Sequence, residues 1–163
     1  MTAKTVKLQQ ELRLKQPLAS DNHEALLNLV RTSSMLLKLS DRFFSQFGLT
    51  DAQFNILMIL NDYGGEGMSQ QELSERLIVT KSNMVGLIDR LEKTGHVKRR
   101  SHPTDRRSYQ VMLTAKGGEM VEKVKKSYFR EVDRMMGVLT DSQKRSLILS
   151  MEKLRQYLKE RQA

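Results

Sequence analysis

Ser69-QQELSERLIVTKSNMVGLIDRLEKTGHVKRRSHPTDRRSYQVML-Thr114 changes its hydrophobic period once, and that change decides the fold. Up to Lys93 the apolar residues recur at helical spacing. Ser69 opens a short helix reaching about Leu77, Ile78-Val79 make a tight turn, and Thr80 caps a second helix over Lys81–Lys93 whose stripe is Met84, Leu87, Ile88 and Leu91. Beyond Gly95 the period becomes two. Val97 and Arg99, then Tyr109, Val111 and Leu113, read as two strands joined by the charged loop Ser101-His102-Pro103-Thr104-Asp105-Arg106.

Outward from this segment the chain reads as helical. Four N-cap oxygens are each followed three residues later by an acceptor that can bond back: Asp21 with Glu24, Thr50 with Gln53, Ser69 with Glu72, Thr140 with Gln143. The spacing predicts a long apolar helix over His23–Phe47 ended by Gly48, a second over Asp51–Asp62 ended at Gly64-Gly65, and a long one from the Thr114 cap through Leu139. A last helix carries Leu147, Met151, Leu154 and Leu158. Residues 1–20 read as an N-terminal extension, helical through Leu8 and Leu12 and set apart by Pro17. The fold class expected is mainly α with a small β-hairpin wing: a winged helix-turn-helix lobe over residues 51–113 inside a single domain over 21–163, with dimerisation helices over 21–47 and 114–163.

In such a plan the second helix of the pair enters the major groove while the hairpin runs along the backbone toward the minor groove. Lys81, Ser82, Asn83, Gly86 and Arg90 lie off the apolar stripe. Asn can pair with adenine, Ser and Lys can reach base edges or phosphate, and Gly86 permits close approach. An ordinary amphipathic helix with a solvated polar face explains that helix equally well. The hairpin breaks the tie, because Lys98, Arg99, Arg100, His102, Arg106 and Arg107 cluster where Asp105 is the one acid, and a merely solvated loop usually mixes signs. Arginine is favoured in a narrow minor groove, and Asp105, two residues before Arg107, can hold that guanidinium. Ser69, Gln70 and Thr80 complete the candidate DNA-contacting set. The net charge of +9, from 28 Lys and Arg against 19 Asp and Glu, suits a polyanionic partner without naming it.

These residues resemble a known family. Asp105-Arg106-Arg107 followed by Val111-Met112-Leu113-Thr114 and Gly117 is similar to the D-x-R wing and V-x-L-T-x-x-G signature of the MarR (multiple antibiotic resistance regulator) proteins. Leu87–Glu92 and Gly95–Arg99 look like the end of that family's recognition helix and the start of its wing. The resemblance covers about Leu26 to Leu158. It implies a homodimeric transcriptional regulator, most often a repressor answering to a ligand, whose first and last helices interlock and whose two reading helices meet a pseudo-palindromic site. Carried over, Arg107 is the minor-groove arginine, Asp105 its partner, and the helix from Lys81 the base reader.

Physically, the stripe Leu147, Met151, Leu154 and Leu158 and an apolar first helix exceed what one winged lobe can cover, so a dimer interface is expected there; packing of both terminal helices within one chain is the alternative. An activator or architectural DNA binder on the same fold stays open, as does a module that contacts protein or RNA. Met35, Met58, Met84, Met112, Met135 and Met136 fall on apolar faces, where they fill core or line an adaptable pocket for an aromatic or phenolic effector. The absence of Cys excludes disulfides, thiolate metal sites and cysteine redox sensing. His23, His96 and His102 share no ligand spacing and read as surface or DNA-facing, so neither metal nor cofactor is expected. Gly64-Gly65-Glu66-Gly67 lacks the Lys and Ser/Thr of a phosphate loop, and no nucleophile arrangement stands out, so no enzyme is expected. No stretch approaches the ~18 apolar residues of a membrane span, and a cytoplasmic protein is expected.

Overall fold

The computed structural model describes residues 7–77, 84–101 and 109–161. Its elements are α1 (Leu8–Glu11), α2 (Asp21–Ser45), α3 (Asp51–Asp62), β1 (Met68–Ser69), α4 (Gln70–Arg76), α5 (Met84–Lys93), β2 (Val97–Ser101), β3 (Tyr109–Leu113), α6 (Ala115–Met136) and α7 (Asp141–Glu160). The mainly helical winged-helix class is what the change of period predicts.

Three of the four expected capping boxes form, at Thr50–Gln53, Ser69–Glu72 and Thr140–Gln143. The box at Asp21–Glu24 does not. Ser20, one residue earlier and extended, takes the cap, its hydroxyl accepting from the His23 N–H at 3.3 Å. Asp21 and Glu24 fall instead in the first turn, where their charge meets the positive end of the helix dipole. The helix expected to run to Leu139 stops at Met136, with Gly137 as its C-cap and the Gly137 N–H on the Asp133 carbonyl at 2.8 Å.

The wing has three strands rather than two. Met68 and Ser69 pair antiparallel with Val111 and Gln110, so β3 lies between β1 and β2. Two residues are too few to show an alternation, which is why the sequence reading takes Ser69 only as a helix start. The β2–β3 ladder runs from Val97 opposite Leu113 to Ser101 opposite Tyr109.

One core binds the lobe together. Phe54, Ile56, Leu57 and Leu60 of α3 meet Leu73 of α4, the α5 stripe Met84, Ile88 and Leu91, Val97 and Val111 of the sheet, and Val121 and Val124 of α6. Phe44 is the one buried residue of α2. Phe43 is half-buried against the core, but Leu26, Leu29, Val30, Leu36 and Leu37 are exposed, and α7 has no buried residue at all. The terminal helices therefore do not cover each other within the chain. They line an open groove of about 540 Å³ between Leu29, Val30 and Leu37 on α2 and Met151, Leu154 and Leu158 on α7. The short α1 buries Leu8 and is tied to α2 by Glu11, which accepts from Arg31 Nε at 2.8 Å. No described helix is long and apolar enough to cross a membrane.

Candidate nucleic-acid interface

Helix α5 is held at a fixed roll by Met84, Ile88 and Leu91, spaced i, i+4, i+7 and all buried. Its end is fixed as firmly. Gly95 adopts φ +76°, the His96 N–H bonds the Leu91 carbonyl and the Gly95 N–H the Glu92 carbonyl, both at 2.9 Å. This is the Schellman pattern, for which a left-handed residue is required and glycine is the unstrained choice. The helix face opposite the stripe is thereby presented outward.

Of the candidate DNA-contacting residues, Thr80, Lys81, Ser82, Asn83, Asp105, Arg106 and Arg107 lie outside the described residues, as do Ile78, Val79 and His102. The others, Arg99 aside, fall into three groups. Arg90 is exposed on α5, its Nε donating to the Gly86 carbonyl at 2.9 Å, so the side chain lies back along the helix beside the half-buried Gly86. Lys98 and Arg100 point outward from β2, two residues apart on one face. Ser69 and Gln70 sit half-buried at the start of α4, with the Ser69 hydroxyl engaged by its own capping box at 3.2 and 2.8 Å.

Arg99 stands apart from the basic residues with which the sequence groups it. Strand alternation turns it to the other face, where its guanidinium meets Glu92 and Asp89 of α5, each at 2.5 Å, and its backbone N–H donates to Glu92 at 2.8 Å. Burial works against the charge, and the two carboxylates outweigh it, holding the pKa above the ordinary arginine value.

His96 is a correction. Expected on the surface, it is buried at 6 % exposure where α5, β2 and α6 meet. Its Nδ1 lies 2.7 Å from Thr94 Oγ1, a hydroxyl also within hydrogen-bond reach of the Arg90 and Leu91 carbonyls at 3.0 and 3.1 Å. Nε2 has no partner among the described residues. Burial first, and Lys116 second, push the imidazole pKa down. The unfolded chain, with a value of about 6.5, therefore binds the proton more readily than the folded one. Stability from this site is complete above that value and is lost as pH falls toward the folded pKa. Urea unfolding at about pH 7.5 and about pH 5 is expected to show a fall that His96→Gln reduces; equal pH slopes in both proteins would contradict it.

A pocket of about 260 Å³ lies between α2, the start of α3, and α6. Phe43, Phe44 and Tyr128 form its aromatic wall, with the Phe44 and Tyr128 rings stacked at 5.9 Å, and Arg42 and Asp51 supply charge. Burial raises the Asp51 pKa, a Ser40 hydrogen bond opposes this, and Asp41 adds to the rise. Of the six methionines considered for such a pocket, Met135 lines this one, Met84 belongs to the core and Met35 is exposed on α2.

Comparison with known proteins bears on the same elements. The MarR family profile matches residues 47–108, which hold α3, β1, α4, α5 and β2. The HTH-type transcriptional repressor YetL of Bacillus subtilis (strain 168) is 32 % identical over 121 residues, covering 74 % of this chain and 72 % of that protein. The chain belongs to the MarR family. Among solved structures, a MarR-like transcription regulator from Bacillus cereus ATCC 10987 superposes with a TM-score of 0.73 at 27 % identity, over 85 % of this chain and 99 % of that one. The S. aureus MepR–DNA complex shares the fold at a TM-score of 0.72 and 21 % identity, over 80 % of this chain and 96 % of that one.

For this MarR-family chain, sequence reasoning missed three features of the site. Nothing in the period marks Asp89 and Glu92 as partners of Arg99, since the pairing joins a helix to a strand. The burial of His96 follows from the cap at Gly95 and the return of α6. The aromatic pocket draws Phe43 and Tyr128 from positions far apart in the chain, each legible only as one more apolar residue.

Proposed function

We propose that this MarR-family regulator is a repressor that holds a pseudo-palindromic operator as a homodimer and releases it when a small aromatic or phenolic ligand occupies the pocket beside Phe43 and Tyr128. In this reading residues 51–113 are the DNA-reading lobe, and 21–47 with 114–163 form the dimer within a single domain over 21–163. The observation that carries it is the outward polar face of α5, with Arg90 and Gly86, fixed beside the outward Lys98 and Arg100 of β2. A helix with its apolar side locked and a basic strand at its flank matches what one major groove and its neighbouring backbone accept. The masking of base-paired sites by a bound dimer then represses by occlusion. MepR, which shares the fold, is solved as a complex with DNA.

Lys81, Ser82 and Asn83 are assigned to base edges, Arg107 to the minor groove with Asp105 holding it, and Lys98, Arg100 and Arg106 to phosphates. The exposed faces of α2 and α7, including Leu147, Met151, Leu154 and Leu158, are assigned to the second copy. No cofactor is invoked. The ligand would act from the junction of α2 and α6, by changing the spacing of the two lobes.

The test starts with selection of bound duplexes from a random pool, which should return a symmetric consensus. Affinity for that duplex is expected to fall roughly 10³-fold between about 50 and about 200 mM salt, through release of condensed counterions. Arg107→Ala should weaken binding further. A flat salt response, or equal retention of single strands and RNA, would remove the basis of the reading. In calorimetry, a panel of aromatic acids and phenols should yield at least one ligand that also releases the duplex.

A further inference from the structure

We propose that Arg99 is a positioning residue: it clamps β2 to α5, and in doing so offsets half the charge of two carboxylates that would otherwise face the nucleic acid. The inference rests on the DNA-reading role given to α5 and the wing above. Its basis is one ion-pair cluster. Asp89 and Glu92 stand three residues apart on the flank of α5, and Arg99 spans them, with Nη2 on Asp89 and Nη1 on Glu92, each at 2.5 Å. Glu92 also accepts the Arg99 backbone N–H at 2.8 Å. The strand is therefore held to the helix by main chain and side chain at the same residue. Arg99 is the central residue of the five-residue β2–β3 ladder, opposite Val111. Fixing it fixes the plane from which Lys98 and Arg100 project.

The charges carry the second half of the argument. A surface meant for phosphates has little use for Asp89, more than half exposed, and Glu92, one turn on. Unpaired, each repels the duplex; sharing the guanidinium of a side chain only 22 % exposed, they have half of their joint charge offset. Both Arg99 Nη atoms are already engaged by carboxylates. The cluster thus gathers two acids and one base into a joint of one net negative charge between two basic surfaces.

A phosphate-binding Arg99 and a clamping Arg99 differ in the sign of one effect. Removing a negative charge beside DNA should tighten binding on electrostatic grounds alone, whereas removing a clamp partner should weaken it. Full-length wild type, Glu92→Gln, Arg99→Ala and Arg99→Lys are to be titrated by fluorescence anisotropy on one selected duplex over a salt series. Glu92→Gln is expected to bind about tenfold more weakly despite its lost negative charge, Arg99→Ala at least as weakly with an unchanged salt slope, and Arg99→Lys to recover part of the loss. Unchanged or tighter binding by Glu92→Gln, or a salt slope reduced by about one in Arg99→Ala, would make Arg99 a phosphate ligand and end the proposal. A second measurement needs no DNA. Urea unfolding of Arg99→Ala, Glu92→Ala and the double variant is expected to be non-additive, and strict additivity would refute the clamp. A wild type that retains no duplex overturns the DNA-reading role itself, an outcome distinct from additive unfolding in a protein that still binds.

Discussion

Gly117→Ala is expected to lower the unfolding free energy by about 3 kcal/mol or more, the scale of a forced overlap in a packed core. A Cβ built at Gly117 would stand 2.1 Å from the His96 carbonyl oxygen and 2.7 Å from Leu113 Cδ1. The carbonyl cannot step aside. It already accepts from the Thr114 N–H at 3.1 Å and from the Thr114 hydroxyl at 3.0 Å, and Thr114 is the cap of α6, accepting from the Gly117 N–H at 3.0 Å. Moving any of these loosens the joint where the end of α5, the start of β2 and the start of α6 meet. The neighbouring glycine provides the control. At Gly118 the nearest atom to an added Cβ is Leu113 Cδ2 at 4.0 Å, so Gly118→Ala should gain about 0.5–1 kcal/mol from helix propensity alone. Urea unfolding monitored by circular dichroism should therefore move in opposite directions for two adjacent, chemically identical substitutions. Equal shifts would mean that the approach of His96 to α6 is not as close as described.

Leu154→Glu should break the proposed dimer while leaving the lobe folded. Leu154 is 45 % exposed in the single chain, belongs to no core cluster and lines the α2–α7 groove. In an isologous interface every substitution occurs on both sides of the contact. Each copy then loses the burial of a leucine, about 1.5–3 kcal/mol, before any cost of desolvating the carboxylate. The dimer constant should weaken by at least about 10³-fold, and sedimentation at micromolar concentration should report one chain in place of two. Operator affinity should fall with it, because a single lobe reads half a site. Unchanged circular dichroism together with an unchanged sedimentation coefficient would place the dimer contact elsewhere.

The sequence carried much of the architecture because its signals are local. Thr50, Ser69 and Thr140 with their partners three residues on mark helix starts, and the shift from helical to alternate spacing after Gly95 marks the wing. Where reading failed, a neighbouring residue competed for the same role, as Ser20 did with Asp21, or the element was too short for any period, as with Met68 and Ser69. The candidate site was legible in its residue types and in its place on one helix and one hairpin. Its internal division was not. Lys98, Arg99 and Arg100 are three consecutive cations in the sequence, and alternation alone says that the middle one faces away without saying what it meets.

Helix identity, the order of elements and the positive balance of charge followed from the chain alone, since propensity, capping and period act over a few residues. The clamp of Arg99 on Asp89 and Glu92, the burial of His96 beneath α6, and the aromatic pocket of Phe43, Phe44 and Tyr128 belong to the tertiary structure. Each joins residues on different elements, and a contact of that kind is set by how α5, the sheet and α6 pack on α3, which no local pattern encodes.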